Sequence, residues 1–306
     1  LSVNSKNNEE NAYSGFNRPD SVLKTADFVS FKANWKPKNE NLSETSSELA
    51  LLPESFVFVD DNPAERAIIE KELSGVAIPE ISGVEHYIQL IDKSGYFEVT
   101  NFSNDDLKRN EMYQENIKRR QEKILFTDYY DYLKSLDMEG EIQGFIPMYM
   151  SRIAQLTNKS NQFNLTTKRY SQNDIESVAS DPDYITLYGR LGDKFGDNGV
   201  VSVIIGKIAG PDRDELHMEL WLMSCRVLKR DMEFAMMDEL VAKAQSVGIK
   251  KIIGYYYPTA KNVMVKDFYG LQGFTKISED AEGNTIWEFK ITEDYEKKQS
   301  VIKVNR

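Results

Sequence analysis

Cysteine is nearly absent: Cys225 stands alone in 306 residues. An internal disulfide is therefore excluded, and a reducing, cytoplasmic compartment is expected. Basic residues are outnumbered, 38 Lys and Arg against 49 Asp and Glu, for a net charge of −11. A nucleic-acid partner would need a basic face, so none is expected. No apolar run approaches membrane-spanning length, so no membrane partner is expected either. Low-complexity segments and internal repeats are missing too.

What is present is an ordinary globular composition, 41% hydrophobic and 28% charged. The length exceeds one common core, so two domains are expected. The first residue is Leu1, and LSVNSKNN begins as if already inside a strand. The expectation is an amino-terminally truncated piece of a longer chain.

One stretch organises the first part, FVFVDDNPAER from Phe56 to Arg66. Four apolar β-formers, Phe56 to Val59, read as a strand buried on both faces. The run stops at two adjacent acids, Asp60 and Asp61. Asn62 suits an N-cap, Pro63 the first helical position, and Glu65 the acid of a capping box. Open α/β sheets bind ligands at such strand ends. Paired carboxylates cost energy unless they share a cation or a proton, and hard oxygens suit Mg²⁺. The alternative is that the acids only cap the helix.

Around this stretch, residues 1–4 read as a strand, Asn8 to Phe16 as a helix and Ser21 to Leu23 as another strand. A helix is expected near Asn39 to Leu51, another from Pro63 to Leu73 ending at Gly75, and VAIPEI as a further strand. Strands alternating with helices imply a parallel sheet. From about Ser82 to Leu136 helices predominate, including a long charged one capped near Asn104, read as a solvated bridging helix. His86 reads as structural.

In the second part, Tyr184 to Leu191, Val200 to Lys207 and Glu215 to Ser224 read as antiparallel strands. Asp197-Asn198-Gly199 is the hairpin signal. Met236, Met237, Leu240, Val241 and Ala244 recur at helical spacing within Arg230 to Val247, and Gly248 ends that helix. Ile252 to Tyr257 is a strand, Val263 to Leu271 a helix, and TKISEDAEGNTIWEFKI a closing hairpin. The pattern is α+β. Three parts are expected: 1–82 (α/β), 83–138 (helical linker) and 139–306 (α+β).

The stretch Gln155 to Tyr170 is rich in amides and hydroxyls: Asn158, Asn161, Gln162, Asn164, Thr166 and Thr167, with Lys159 beside them. Such groups suit a polyol or a phosphate, or else cap a loop between helices. Cys225, next to Arg226, Lys229 and Arg230 before a helix, is a candidate low-pKa thiol and acyl acceptor. The alternative is a small buried residue. His217 is either its base or a plain strand residue.

Ser5 after a strand, Lys38 before a helix and Asp60-Asp61 after a strand resemble the later motifs of haloacid-dehalogenase (HAD)-like phosphatases. By that resemblance Ser5 and Lys38 hold a phosphoryl group, with Lys38 stabilising its charge, and Asp60 and Asp61 hold Mg²⁺. The first motif, Asp-x-Asp-x-Thr/Val, is absent from 1–306. Phosphatase activity is therefore not expected of these residues, and Mg²⁺ affinity should be weak. Asn262, Phe268-Tyr269 and Gly273-Phe274 resemble the closing segment of the Gcn5-related (GNAT) acetyltransferase fold, which makes Tyr269 a candidate proton donor to a thiolate. The turn Val227 to Met232 lacks that fold's glycines for coenzyme A.

The order VDDNPAER, QLTNKSNQFNLTTKRY, KFGDNGVVSV, LWLMSCRVLKR and PTAKN, the last bringing Lys261 and Asn262, resembles FkbH-like proteins. These fuse a HAD-like domain of subfamily IIIC to a GNAT-like acyltransferase domain. The resemblance implies an incomplete HAD-like parallel sheet followed by an α+β GNAT-like domain. It also implies dephosphorylation of a 1,3-bisphosphoglycerate-type acid and glyceryl transfer to the phosphopantetheine of an acyl carrier protein. Arg226, Lys261 and Asn262 join the substrate-binding candidates, and Lys229-Arg230 or Lys250-Lys251 would face an acidic carrier. The rival readings are an N-acyltransferase using acyl-CoA and a non-catalytic docking module.

Overall fold

The computed structural model describes residues 1–81, 83–98 and 107–305. Ser82 and Asn104, where a boundary and a helix cap were expected, lie outside the described residues. The chain divides into two compact units, Leu1–Gln121 and Glu122–Arg306.

In the first unit, β1 (Ser2–Ser5) pairs in parallel with β2 (Ser30–Ala33), with Ser5 opposite Ala33. Both strands therefore end at the same edge. Between them α1 (Glu9–Phe16) packs its aromatics on β2: Tyr13 stacks on Phe31 at 4.2 Å. No strand forms at Ser21 to Leu23. The Ser21 hydroxyl donates to Leu23 O at 2.6 Å, a local bond that competes with pairing. α2 (Lys38–Leu49) and α3 (Pro63–Glu72) bury Leu42 and Ile69 against Phe58.

The Phe56 to Val59 segment is extended but not buried on both faces. Phe58 is buried, whereas Val59 is 38% exposed. Among the described residues its strand-type bonds run to Ala77 alone, from Phe58 N at 2.8 Å and back to Phe56 O at 3.0 Å. With one paired edge, the period-two alternation decides burial. VAIPEI contributes that single bridge and no strand. Asn62 caps α3 as expected, accepting from Ala64 N at 2.9 Å. Glu65 does not complete a capping box, because its carboxylate is held by Lys6 Nζ at 2.5 Å. Helices α4 (Tyr87–Lys93) and α5 (Arg109–Lys123) follow, and α6 (Tyr129–Ser135) lies in the second unit, with Tyr132 and Leu133 in that unit's core.

The second unit is an eight-stranded sheet in the order β10-β3-β4-β5-β6-β7-β9-β8. β4 (Tyr184–Asp193), β5 (Gly196–Ala209) and β6 (Glu215–Met223) form its antiparallel centre. β3 (Met138–Gln143) and β10 (Ile302–Asn305), both unforeseen, extend one side. Met138-x-Gly140-x-Ile142 is too short and too acidic at its alternate positions to stand out. β7 (Lys251–Tyr256), β8 (Thr275–Glu279) and β9 (Thr285–Lys290) extend the other side. Asp197-Asn198-Gly199 is not the hairpin turn. The chain reverses at Lys194-Phe195, and Gly199 (φ 66°) marks a register shift inside β5.

Helices cover both faces, which explains why Val200 to Ile205 is buried throughout, with Ser202, the one polar residue, donating to Leu222 O at 3.0 Å. α7 (Pro147–Lys159) and α8 (Gln172–Ser180) pack on one face. α9 (Met232–Ser246), with Met236, Met237, Leu240, Val241 and Ala244 buried, packs on the other, and α10 (Phe268–Leu271) joins the same core. β6 and β7 run in parallel, but only Glu215 to His217 pair with Lys251 to Ile253. Beyond these residues the two strands part. The architecture is an α/β unit followed by an α+β unit.

Candidate functional site

At the shared end of β1 and β2, three asparagines tie the chain together. Asn41, fully buried, donates to Asn34 Oδ1 at 2.9 Å and to Asn4 Oδ1 at 3.3 Å. Asn4 Nδ2 donates to Lys38 O at 2.8 Å, and Asn34 N to Ser5 O at 3.0 Å. This knot sets the first turn of α2 beside Ser5. Lys38 Nζ then reaches Asp60 Oδ2 at 2.5 Å, with the two side chains only 14% and 4% exposed. Asp60 Oδ1 accepts from Asn62 N at 2.9 Å. Lys6, Asn4, Asn34 and Asn41 were not foreseen, although the spacing of asparagines around each strand end was visible. The structure thus gathers Ser5, Lys38 and Asp60 at one edge, while Asp61 is exposed.

The fit to Mg²⁺ is partial. The donors are hard oxygens, the right chemistry. Both Asp60 oxygens, however, are already engaged by Lys38 and Asn62 N. Among the described residues no group of three acids, histidines or cysteines could hold a metal. Asp61, and Asp60 after exchange of Lys38, would hold the ion, which would supply charge neutralisation to a phosphoryl ligand.

In the second unit the polar stretch Gln155 to Tyr170 is mostly spent on the fold. Asn158 Nδ2 donates to Ala154 O at 2.9 Å and Tyr170 O at 3.0 Å. Asn161 accepts from Arg169, which also holds Ser160 O at 3.2 Å. Asn164, fully buried, accepts from Thr167 N at 2.8 Å, and Thr166 donates to Glu219 O at 2.7 Å. Lys159 is exposed at the end of α7 and Gln162 is half-buried. The amides and hydroxyls satisfy buried main chain rather than line a polyol pocket. Asn262, also fully buried, does the same: its side chain accepts from Thr259 N at 2.7 Å. Lys261 is exposed beside it.

Tyr269 is a core residue. Its ring packs with Trp221, Phe274 and Trp287 and leaves no room for a β-carbon on Gly254. Its hydroxyl is buried; the Tyr255 main chain approaches it without completing a hydrogen bond. Burial pushes it well above the ordinary tyrosine range. A proton-donor role at an open site is therefore not what this geometry offers.

Cys225 is half-buried in a three-residue 3-10 turn, Cys225–Val227, and α9 starts only at Met232. The helix N-terminus invoked for a reactive thiol is seven residues further on. Arg226 turns back to Ser224 Oγ at 3.3 Å, and Arg230 pairs with Asp193 at 3.1 Å. His217 stands eight residues before Cys225 along an extended strand, roughly 25 Å away, and cannot be its base. Lys250 and Lys251 pair with Asp214 and Glu215 at 3.2 and 2.9 Å, so they form no unopposed basic patch.

What His217 does form is a chain: Nδ1 meets Tyr255 Oη at 2.7 Å and Nε2 meets Glu215 Oε2 at 3.1 Å. Nearby on β6, Glu219 accepts from Tyr170 Oη at 2.9 Å and pairs with Lys168. Burial raises the Glu219 carboxyl, but these two partners outweigh it and hold it below the usual range. The alternation Glu215-x-His217-x-Glu219 was the signal for this polar face.

No protein-family profile and no curated protein matches the chain. Among solved structures, it is similar to the phosphatase-containing N-terminal part of BF1531 from Bacteroides fragilis, described in complex with Mg. That match has 36% identity over 33% of this chain and 27% of the other, with a TM-score of 0.32. The chain thus spans about a quarter of that structure's length. It is also similar to a GNAT-family acetyltransferase from Streptococcus pneumoniae, at 14% identity over 50% of this chain and 100% of the other, TM-score 0.41. A third likeness is the PaiA N-acetyltransferase of Thermoplasma acidophilum, described in complex with coenzyme A. It has 18% identity over 50% of this chain and 99% of the other, TM-score 0.37.

Proposed function

We propose that the chain belongs to an FkbH-like phosphatase/acyltransferase. It would act on an activated three-carbon acid of the 1,3-bisphosphoglycerate type and pass the glyceryl group to the phosphopantetheine thiol of an acyl carrier protein. The observation that carries the reading is the Lys38–Asp60 pair beside Ser5, at the common end of two parallel strands. An ammonium, a hydroxyl and a pair of acids around one edge are what a phosphoryl ligand with a divalent cation needs. In this reading Lys38 leaves Asp60 for the phosphoryl oxygens when substrate and Mg²⁺ arrive. Residues 1–306 hold no Asp-x-Asp-x-Thr/Val, so the nucleophile is not among them.

The test has two stages. A phosphonate analogue of the three-carbon acyl phosphate is titrated while the Lys38 side chain and Ser5 are followed by NMR. Saturable shifts at Lys38 and Ser5 support the reading, and no shift at either residue overturns it. Transfer is then read as gain of one glyceryl group on holo carrier protein, by intact mass, with an Asp-x-Asp-x-Thr strand supplied by fusion. No gain under those conditions rejects carrier-dependent transfer.

A further inference from the structure

β6 and β7 part after His217 and Ile253. The β6 edge that faces β7 carries the main-chain groups of Glu219, Trp221 and Met223, and Tyr257 lies just past the end of β7. A parted strand pair is a ready docking place for an extended, amide-bearing ligand, because both edges offer unpaired donors and acceptors.

Here the chain fills that place itself. Leu165 N donates to Trp221 O at 3.1 Å, and Met223 N donates to Phe163 O at 3.0 Å. Tyr257 N donates to Leu165 O at 2.9 Å, so the same residue bonds to both sides of the cleft. Thr166 Oγ1 donates to Glu219 O at 2.7 Å. Asn262 Nδ2 stitches the strap down, donating to Asn164 O and to Tyr257 O, both at 2.9 Å. The side chains are equally committed: Phe163, Asn164 and Leu165 are 5%, 0% and 0% exposed. Phe163 meets Phe268 edge-on at 4.9 Å, and Phe268 meets Trp221 at 4.8 Å. Withdrawing the segment would strip four main-chain partners and expose two large apolar side chains.

A second observation points the same way. The N-terminus of α9, which would ordinarily welcome a phosphate, carries Asp231 at its cap and Glu233 in its first turn. Arg230, the nearest cation, is directed to Asp193 and to Arg226 O.

We propose that Phe163–Thr166 is a built-in strap that closes the β6/β7 cleft. The second unit consequently takes no acyl group from coenzyme A, nor from any other arm threaded between these strands. This does not depend on the chemistry of the first unit. If a carrier-bound thiol is the acceptor, it meets its acyl group outside this cleft.

The test uses the full chain. Calorimetric titration with coenzyme A and with acetyl-CoA should give no saturable heat up to millimolar ligand. Hydrogen exchange should show the amides of Leu165, Met223 and Tyr257 slowed about a hundredfold or more, as for core strands. Asn262→Ala should speed exchange of Leu165 about tenfold, since it frees the Asn164 and Tyr257 carbonyls that hold the strap, without creating coenzyme A binding. Saturable coenzyme A binding accompanied by loss of protection at Leu165 would overturn the proposal. So would a Leu165 amide that exchanges as fast as an open loop in the wild-type chain.

Discussion

Lys38 Nζ lies 2.5 Å from Asp60 Oδ2, joining the first residue of α2 to the acid that ends the Phe56–Val59 segment. The pair is nearly excluded from solvent, so neither charge is dispensable while the other remains. Lys38→Met should destabilise the first unit by about 3–5 kcal/mol, the usual cost of leaving one buried charge unpaired. The double variant Lys38→Met with Asp60→Asn should recover more than half of that. Urea unfolding of the three proteins decides it. A loss below about 1 kcal/mol would mean that Asp60 is hydrated and the pair behaves as a surface one.

The second unit should lose stability as pH rises through the range set by Glu233. Burial, with a smaller push from Asp231, raises this carboxyl from 4.5 to about 7. Below the unfolded value both states hold the proton and the group is silent. Between about 4.5 and 7 the unfolded chain releases it first, so stability falls with pH; above 7 the full penalty is present. Glu233→Gln should flatten this slope and stabilise the protein at pH 8 by about 3 kcal/mol. Denaturation midpoints for both proteins at pH 5 and pH 8 test it. A variant with the wild-type slope would show that another group titrates.

Tyr269→Phe separates core from catalysis. The hydroxyl is buried and completes no hydrogen bond, so its removal should be neutral or stabilising by about 1 kcal/mol. Any transfer activity should persist. Destabilisation by more than about 2 kcal/mol, or loss of turnover with stability intact, would return the hydroxyl to a bonded or chemical role.

Mg²⁺ should bind the first unit only in the millimolar range, because it competes with Lys38 for Asp60. At ten times its Kd the ion would add about 1.4 kcal/mol. Thermal melts with and without 10-fold steps of Mg²⁺ should shift in the wild type and not in Asp61→Asn. Micromolar binding would reveal ligands beyond Asp60 and Asp61.

Much of the fold could be read from local pattern. The cap Asn62-Pro63 and the spacing of Met236, Leu240, Val241 and Ala244 announce their helices because these signals act within a few residues. The Asp197-Asn198-Gly199 signal misled because a glycine at positive φ serves a bulge as well as a turn. At the site, Ser5, Lys38 and Asp60 were legible as a set, whereas the asparagine knot that aligns them joins residues up to 37 positions apart. The polar run Gln155 to Tyr170 was conspicuous, but composition does not say whether an amide faces a ligand or its own main chain.

The sequence alone determined that two paired acids end an apolar segment and that a helix starts at once. It also set the alternation of α and β elements that makes the first unit α/β and the second α+β. These follow from side-chain period, capping and backbone preference, all local properties. Tertiary structure alone decided that Val59 faces outward, since exposure depends on which strand lies alongside. It alone showed that Tyr269 and Asn262 serve the core, and that Phe163–Thr166 lies between β6 and β7. Those outcomes depend on hydrogen bonds between residues dozens of positions apart, whose partners are chosen only when both strand edges and the strap are in place.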